Sequence, residues 1–96
     1  MILYEGVFIF STKEDKFVKG KELVASEFNR IKAVIQKEED MGDKDLAYPI
    51  KKENRGHYYY YEVEQSPEKL LEIEKNFKLS PEILKYLFVK KISRSR

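Results

Sequence analysis

Lysine and arginine gather where the chain can turn: Lys51, Lys52 and Arg55 in one short segment, with Lys44 a little upstream. A second group, Lys85, Lys90 and Lys91, lies near the carboxyl end, followed by Arg94 and Arg96. Cations on a protruding hairpin neutralise phosphates, and each such contact adds roughly one unit to the salt dependence of nucleic-acid binding. Tyr4, Tyr48 and Tyr86 can stack on splayed bases or hydrogen-bond to phosphate or ribose. A solvated charged surface is the plain alternative, since lysines on turns are commonplace. The acidic run Glu38-Glu39-Asp40 reads as a solvated strand end.

Catalytic chemistry finds little support. His57 is the sole histidine and reads as a packed or surface residue, with no ligands at metal-binding spacing around it. There is no cysteine, so thiol catalysis, disulfides and cysteine metal sites are excluded. No Gly-rich phosphate loop or nucleophile–base pair is visible, and no pair of carboxylates stands out. The chain is therefore read as a binding protein that is not an enzyme and uses no cofactor.

The elements that must position these residues follow from pattern. At 96 residues the chain is one small domain with a modest core. Charged residues make up 38%, above the usual ~25%, yet the net charge is only +2. Any basic footprint must come from uneven placement. The apolar runs are too short to span a bilayer, and the amino end lacks the features of a signal peptide, so the expected location is the cytoplasm, away from membranes.

Residues 2–10 are rich in aromatic and β-branched types and predict a strand. Ser11-Thr12-Lys13-Glu14 has the form of a capping box. Phe17, Val24, Phe28 and Ile31 recur at helical spacing, with Gly20 suggesting that the regular helix starts near Lys21. A second strand from Val34 is interrupted near Gly42 and resumes at Leu46, and Pro49 places it at a sheet edge. Residues 52–56 read as a polar hairpin connection and residues 57–65 as the third strand. Ser66-Pro67 starts a second helix whose buried face is Leu70, Ile73 and Phe77. Residues 84–92 form the fourth strand, and residues 93–96 a mobile basic tail beyond a domain of residues 1–92.

The order βαββαβ gives an α+β ferredoxin-like sandwich: a four-stranded antiparallel sheet with two helices on one face. The first strand sorts into Tyr4, Gly6, Phe8, Phe10 and Leu3, Glu5, Val7, Ile9, both largely apolar. The face without helices is thus expected to show water an apolar and aromatic patch, which often marks an interface.

Tyr4-Glu5, Val7-Phe8-Ile9, Met41-Gly42, the block Leu46-Ala47-Tyr48-Pro49-Ile50-Lys51, Gly56 and Tyr86-Leu87 with Val89-Lys90 together resemble the bacterial small-subunit ribosomal protein S-six family. The resemblance runs from Leu3 to Lys91. It implies a structural role: binding the central domain of small-subunit ribosomal RNA together with ribosomal protein S-eighteen. It also makes RNA contact the better reading of the basic region, with Tyr4, Lys44, Tyr48, Lys51, Lys52, Arg55, Lys85, Tyr86 and Lys90 as candidates. The family usually carries basic residues just before its Leu-Ala-Tyr-Pro-Ile block, where this chain has Asp43-Lys44-Asp45. The isolated chain is expected to be a monomer. Two alternatives stay open: an RNA recognition motif stacking bases on Tyr58 or Tyr60, and a ligand-regulated domain or homodimer outside the ribosome.

Overall fold

A computed structural model describes residues 1–91. Ile92 and the basic tail of residues 93–96 lie outside the described residues. The elements in chain order are β1 (Ile2–Phe10), α1 (Lys16–Arg30), β2 (Val34–Ile50), β3 (Glu53–Gln65), α2 (Pro67–Leu79) and β4 (Ile83–Lys90). The strands form one antiparallel sheet in the order β2-β3-β1-β4. Both helices bury their apolar faces on the same side, giving the expected ferredoxin-like sandwich.

Alternation along β1 builds the core. Phe8 and Phe10 point under the helices and are fully buried with Val24 and Phe28 of α1 and Ile73 and Phe77 of α2. The Phe8 ring meets Phe77 and Tyr61 edge-on at centroid distances of 5.1 and 5.5 Å, an arrangement that complements the ring quadrupoles. Gly6 leaves room for Phe88: a Cβ there would stand 2.8 Å from the Phe88 ring.

The second helix starts as read. Ser66 accepts from the Lys69 N–H and Pro67 occupies the first turn. The first does not. Ser11 is buried, and its hydroxyl donates to the Glu53 carboxylate, so the expected capping box is absent. Asp15 takes the N-cap position without a side-chain cap bond. A buried carboxylate without a donor is costly, and that demand outweighs a helix cap. The helix begins at Lys16, and Gly20 lies inside it because Phe10 packs against that turn.

β2 is an edge strand, as Pro49 requires. It runs continuously but its register with β3 shifts between Asp40 and Gly42 and again between Asp45 and Ile50. Gly42 takes a positive φ of 82°, and its N–H donates to Asp40. The connection to β3 is shorter than residues 52–56: Ile50 pairs with Glu53, leaving Lys51 and Lys52 alone in the turn. β4 begins at Ile83, opposite Phe10.

Candidate nucleic-acid interface

The β2–β3 turn is the most constrained piece of backbone on the basic surface. Lys51 and Lys52 both lie in the left-handed region, with φ of 50° and 66°. Two-residue hairpin turns of this hand follow the sheet twist but favour Asn and Gly. Placing other residues there costs on the order of 1–3 kcal/mol each, so the surroundings must hold them. Two features do so. Lys51 Nζ donates to the carbonyls of Ile83 at 2.9 Å and Ser80 at 3.4 Å, tying the turn to the start of β4. Beside it, Glu53 is buried, and both its oxygens accept from Ser11 Oγ at 2.8 and 2.9 Å. The hairpin is thus fastened to β1 and β4, and Lys52 is exposed at its tip.

The other candidates divide by position. Arg55 pairs with Asp45 at 3.1 Å on the exposed surface. Lys44 is exposed on the edge strand opposite Gly56. Tyr48 sits where β2 loses its pairing with β3 and is 67% exposed. It shares a hollow of about 130 Å³ with Leu46, Ile50, Tyr58 and Lys85. Lys85 reaches this end of the molecule because it pairs with Ile9, which pairs with Tyr58. Lys44, Tyr48, Lys51, Lys52, Arg55 and Lys85 therefore gather at the hairpin end.

Tyr4 and Lys90 do not join them. They face each other across β1 and β4, six residues along β1 from Phe10, about 20 Å away at the usual strand rise. Tyr4 is half-buried against the core. Tyr86 lies between, on the helix-covered side; its hydroxyl donates to Glu74 of α2 at 2.9 Å. Burial, then the bond and charge of Glu74, push the Tyr86 phenol up to about 12.

The acidic run is exposed to solvent, and two of its three carboxylates also bond across to β3. Glu38 accepts from the Tyr59 hydroxyl at 2.8 Å, and burial with this carboxylate raises the phenol to about 12. His57 stacks on Phe17 at 3.7 Å between centroids, with Nε2 2.6 Å from Asp40 and Nδ1 2.7 Å from Asp43. Stacking from α1 and two carboxylate contacts from β2 thus engage the ring and both nitrogens of the histidine. These partners lie on different elements, and no local signal reveals them.

The uncovered face has two halves. Towards the hairpin, Val7, Ile9, Leu87 and Lys85 line an apolar hollow of about 220 Å³. Leu87, opposite Val7, remains 58% exposed, and Val89, opposite Glu5 further from the hairpin, 48%. Towards the other end the face is acidic. Tyr60 donates to Glu62 at 2.6 Å and to Glu5 at 3.2 Å, and Lys91 pairs with Glu62 at 2.9 Å. Burial and these carboxylates raise the Tyr60 phenol well above its ordinary value.

The sequence matches the family model described as Ribosomal protein S6 over residues 3–90. The chain belongs to the ribosomal protein S6 family. Small ribosomal subunit protein bS6 of Treponema denticola is 39% identical over 87 residues, covering 91% of this chain and 94% of that protein. The corresponding protein of Treponema pallidum (strain Nichols) is 37% identical over 90 residues, covering 94% and 97%. Among solved structures, 30S ribosomal protein S6 from Thermotoga maritima superposes with a TM-score of 0.79 at 29% identity, covering 94% of this chain and 87% of that one. The C-terminal domain of MgtC from Mycobacterium tuberculosis gives a TM-score of 0.65 at 9% identity, a likeness of fold alone.

Membership makes the chain a small-subunit ribosomal protein of the bacterial cytoplasm, in a family of structural proteins rather than enzymes. Among the described residues, no helix is long and apolar enough to cross a membrane. The acids flanking Lys44 are each engaged: Asp43 with His57 and Asp45 with Arg55.

Proposed function

We propose that the chain binds small-subunit ribosomal RNA through its hairpin end, as a structural component working with ribosomal protein S-eighteen. The observation that carries this reading is the strained, doubly anchored Lys51-Lys52 turn. A backbone cost of this kind is retained where a fixed geometry is used. The turn presents cations beside the exposed Tyr48, which supports phosphate contact combined with stacking or ribose bonding. The apolar half of the uncovered face supports a protein partner lying against Val7, Ile9 and Leu87. The isolated chain is then a monomer, and RNA affinity rises when S-eighteen is present.

The recognition-motif alternative is weaker on electrostatic grounds. Tyr60 is held by Glu5 and Glu62, and a negative surround repels the phosphates of a strand laid across that face.

The test is binding of a central-domain RNA fragment, with and without S-eighteen, across a salt series. Replacing Lys51 and Lys52 together by glutamate should weaken binding at least tenfold at moderate salt and shallow the salt dependence. Unaltered affinity in the doubly substituted, folded protein removes the hairpin from the interface. A wild-type chain that binds neither the fragment nor S-eighteen refutes the proposal.

A further inference from the structure

Lys51 faces two ways. Its ammonium caps the carbonyls of Ser80 and Ile83, and the same side chain lines a cleft of about 210 Å³ between the carboxyl end of α2 and β4. Lys78, from the last turn of α2, and Lys85, from β4, line it as well, over an apolar lining that includes Phe77, Leu84 and Tyr86. Lysines from three separate elements thus line one concavity, Lys85 from the edge strand that also borders the uncovered face. Among the described residues none of the three has a carboxylate within ion-pair distance. Lys78 and Lys85 are exposed at the rim, and Lys51 has three N–H donors of which the carbonyls take two.

Two kinds of negative charge lie near the cleft. A helix carboxyl end carries partial negative charge, which disfavours an anion. Here Lys51 covers the carbonyls of Ser80 and Ile83, which follow that end, and Ser80 N–H bonds the Phe77 carbonyl. Glu74 is the acid beside the cleft, and it is turned to the Tyr86 hydroxyl. Glu82 is turned to Ser80 Oγ at 2.6 Å. The local balance stays positive.

We infer that this cleft is a phosphate-binding site, with Lys78 as a cation that neither the hairpin nor the family block contains. The volume is below the ~300 Å³ of an ordinary small-molecule pocket, so it suits one phosphate group and an edge of its attached sugar rather than a larger ligand. The phosphate comes from an RNA phosphodiester if the proposed RNA binding holds, on which that source rests, or from free phosphate otherwise. As an RNA site it extends the contact from the hairpin tip along β4 towards α2.

The experiment uses the full chain with S-eighteen and the RNA fragment, comparing Lys78→Gln and Lys85→Gln with Lys69→Gln, an exposed lysine in the first turn of the same helix. Each cleft substitution should lower the salt slope by about 0.7–0.9, while Lys69→Gln leaves it unchanged. In parallel, inorganic phosphate is titrated into the isolated chain and backbone amide shifts are followed. Saturable shifts at Lys78, Leu84 and Lys85, absent at Lys69 and abolished by Lys78→Gln, support the site independently of RNA. If the wild type binds RNA but the cleft variants keep its slope, and phosphate moves no cleft amide, the site is overturned while RNA binding stands. If the wild type fails to bind RNA yet phosphate moves those amides, the RNA reading falls and the site stands as one for free phosphate. Failure of both arms refutes both.

Discussion

Replacing Gly20 by alanine sets two physical effects against each other. Helix propensity alone favours the change, because alanine in a helix interior is better than glycine by about 1 kcal/mol. Packing opposes it. Gly20 is buried in α1, and an added Cβ would stand 2.6 Å from Phe10 Cδ1 and 3.1 Å from Glu82 Cβ. Ordinary carbon contacts lie at about 3.5–4.0 Å, so something must move by roughly 1 Å. Phe10 has little freedom to yield: it is fully buried, stacked on Phe8 at 5.8 Å and edge-on to Phe17 at 5.5 Å. Inserting a methyl group into such packing costs typically ~1–3 kcal/mol. Taking the middle of that range against the propensity gain leaves a net loss of about 1 kcal/mol. For a domain of this size that lowers Tm by about 4–8 °C. Urea denaturation is the direct assay, with a lower midpoint and an unchanged m-value. A raised midpoint would refute the reasoning, since it would mean that α1 shifts off Phe10 at little cost and that propensity decides.

Three further outcomes are expected. Ser11→Ala leaves the buried Glu53 carboxylate without its hydroxyl donor and should cost ~1–3 kcal/mol, much less when Glu53 is already glutamine; equal losses in both backgrounds contradict the pairing. On alkaline titration followed by tyrosinate absorbance, Tyr59 and Tyr86 should ionise only near about 12, so their stabilisation is complete below the unfolded value near ~10 and fades as pH rises through 12; a single step near ~10 for all tyrosines contradicts this. Partial desolvation pushes the Asp40 carboxyl up, but bonds from His57 and the Gly42 N–H outweigh it and hold the group below its ordinary value. Its contribution is therefore present above the unfolded pKa near ~3.9 and lost as pH falls through the lower folded value, so Asp40→Asn should flatten that acid limb, and an unaltered limb counts against the clasp.

The features legible in the sequence are those whose causes are local. Ser66 and Pro67 announce α2 because cap and first turn are sequence neighbours. Alternation in β1 separates Phe8 and Phe10 from Val7 and Ile9 because a strand has a period of two. Pro49 marks an edge because the missing donor is its own. Ser11 misleads for the opposite reason: its partner Glu53 is 42 residues away, and a local capping pattern says nothing of a distant buried charge. At the candidate site, Lys44, Tyr48, Lys51, Lys52 and Arg55 are near in sequence and gather at one end, while Lys85 joins them through strand pairing. Tyr4 and Lys90 share residue type and family motif with that group, but the sheet holds them apart from it.

The hairpin shows why residue type and residue role diverge most where the fold is under load. Gly56 is the residue that a turn would recruit, and it draws the connection towards itself on paper. In the fold Gly56 is buried in β3, where any side chain would collide with Ile9, so its absence of a Cβ serves sheet packing. The turn falls instead on two lysines, residues poorly suited to positive φ. That choice is stable only because Lys51 finds carbonyl acceptors on Ser80 and Ile83 and because Glu53 is locked to Ser11. Asn-Gly at these positions would satisfy the backbone more cheaply but would remove the Lys52 cation from the tip and the Lys51 tie to β4. On the proposed RNA-binding reading, lysine stands in a conformation it disfavours because the hairpin has to supply charge at a fixed place and angle.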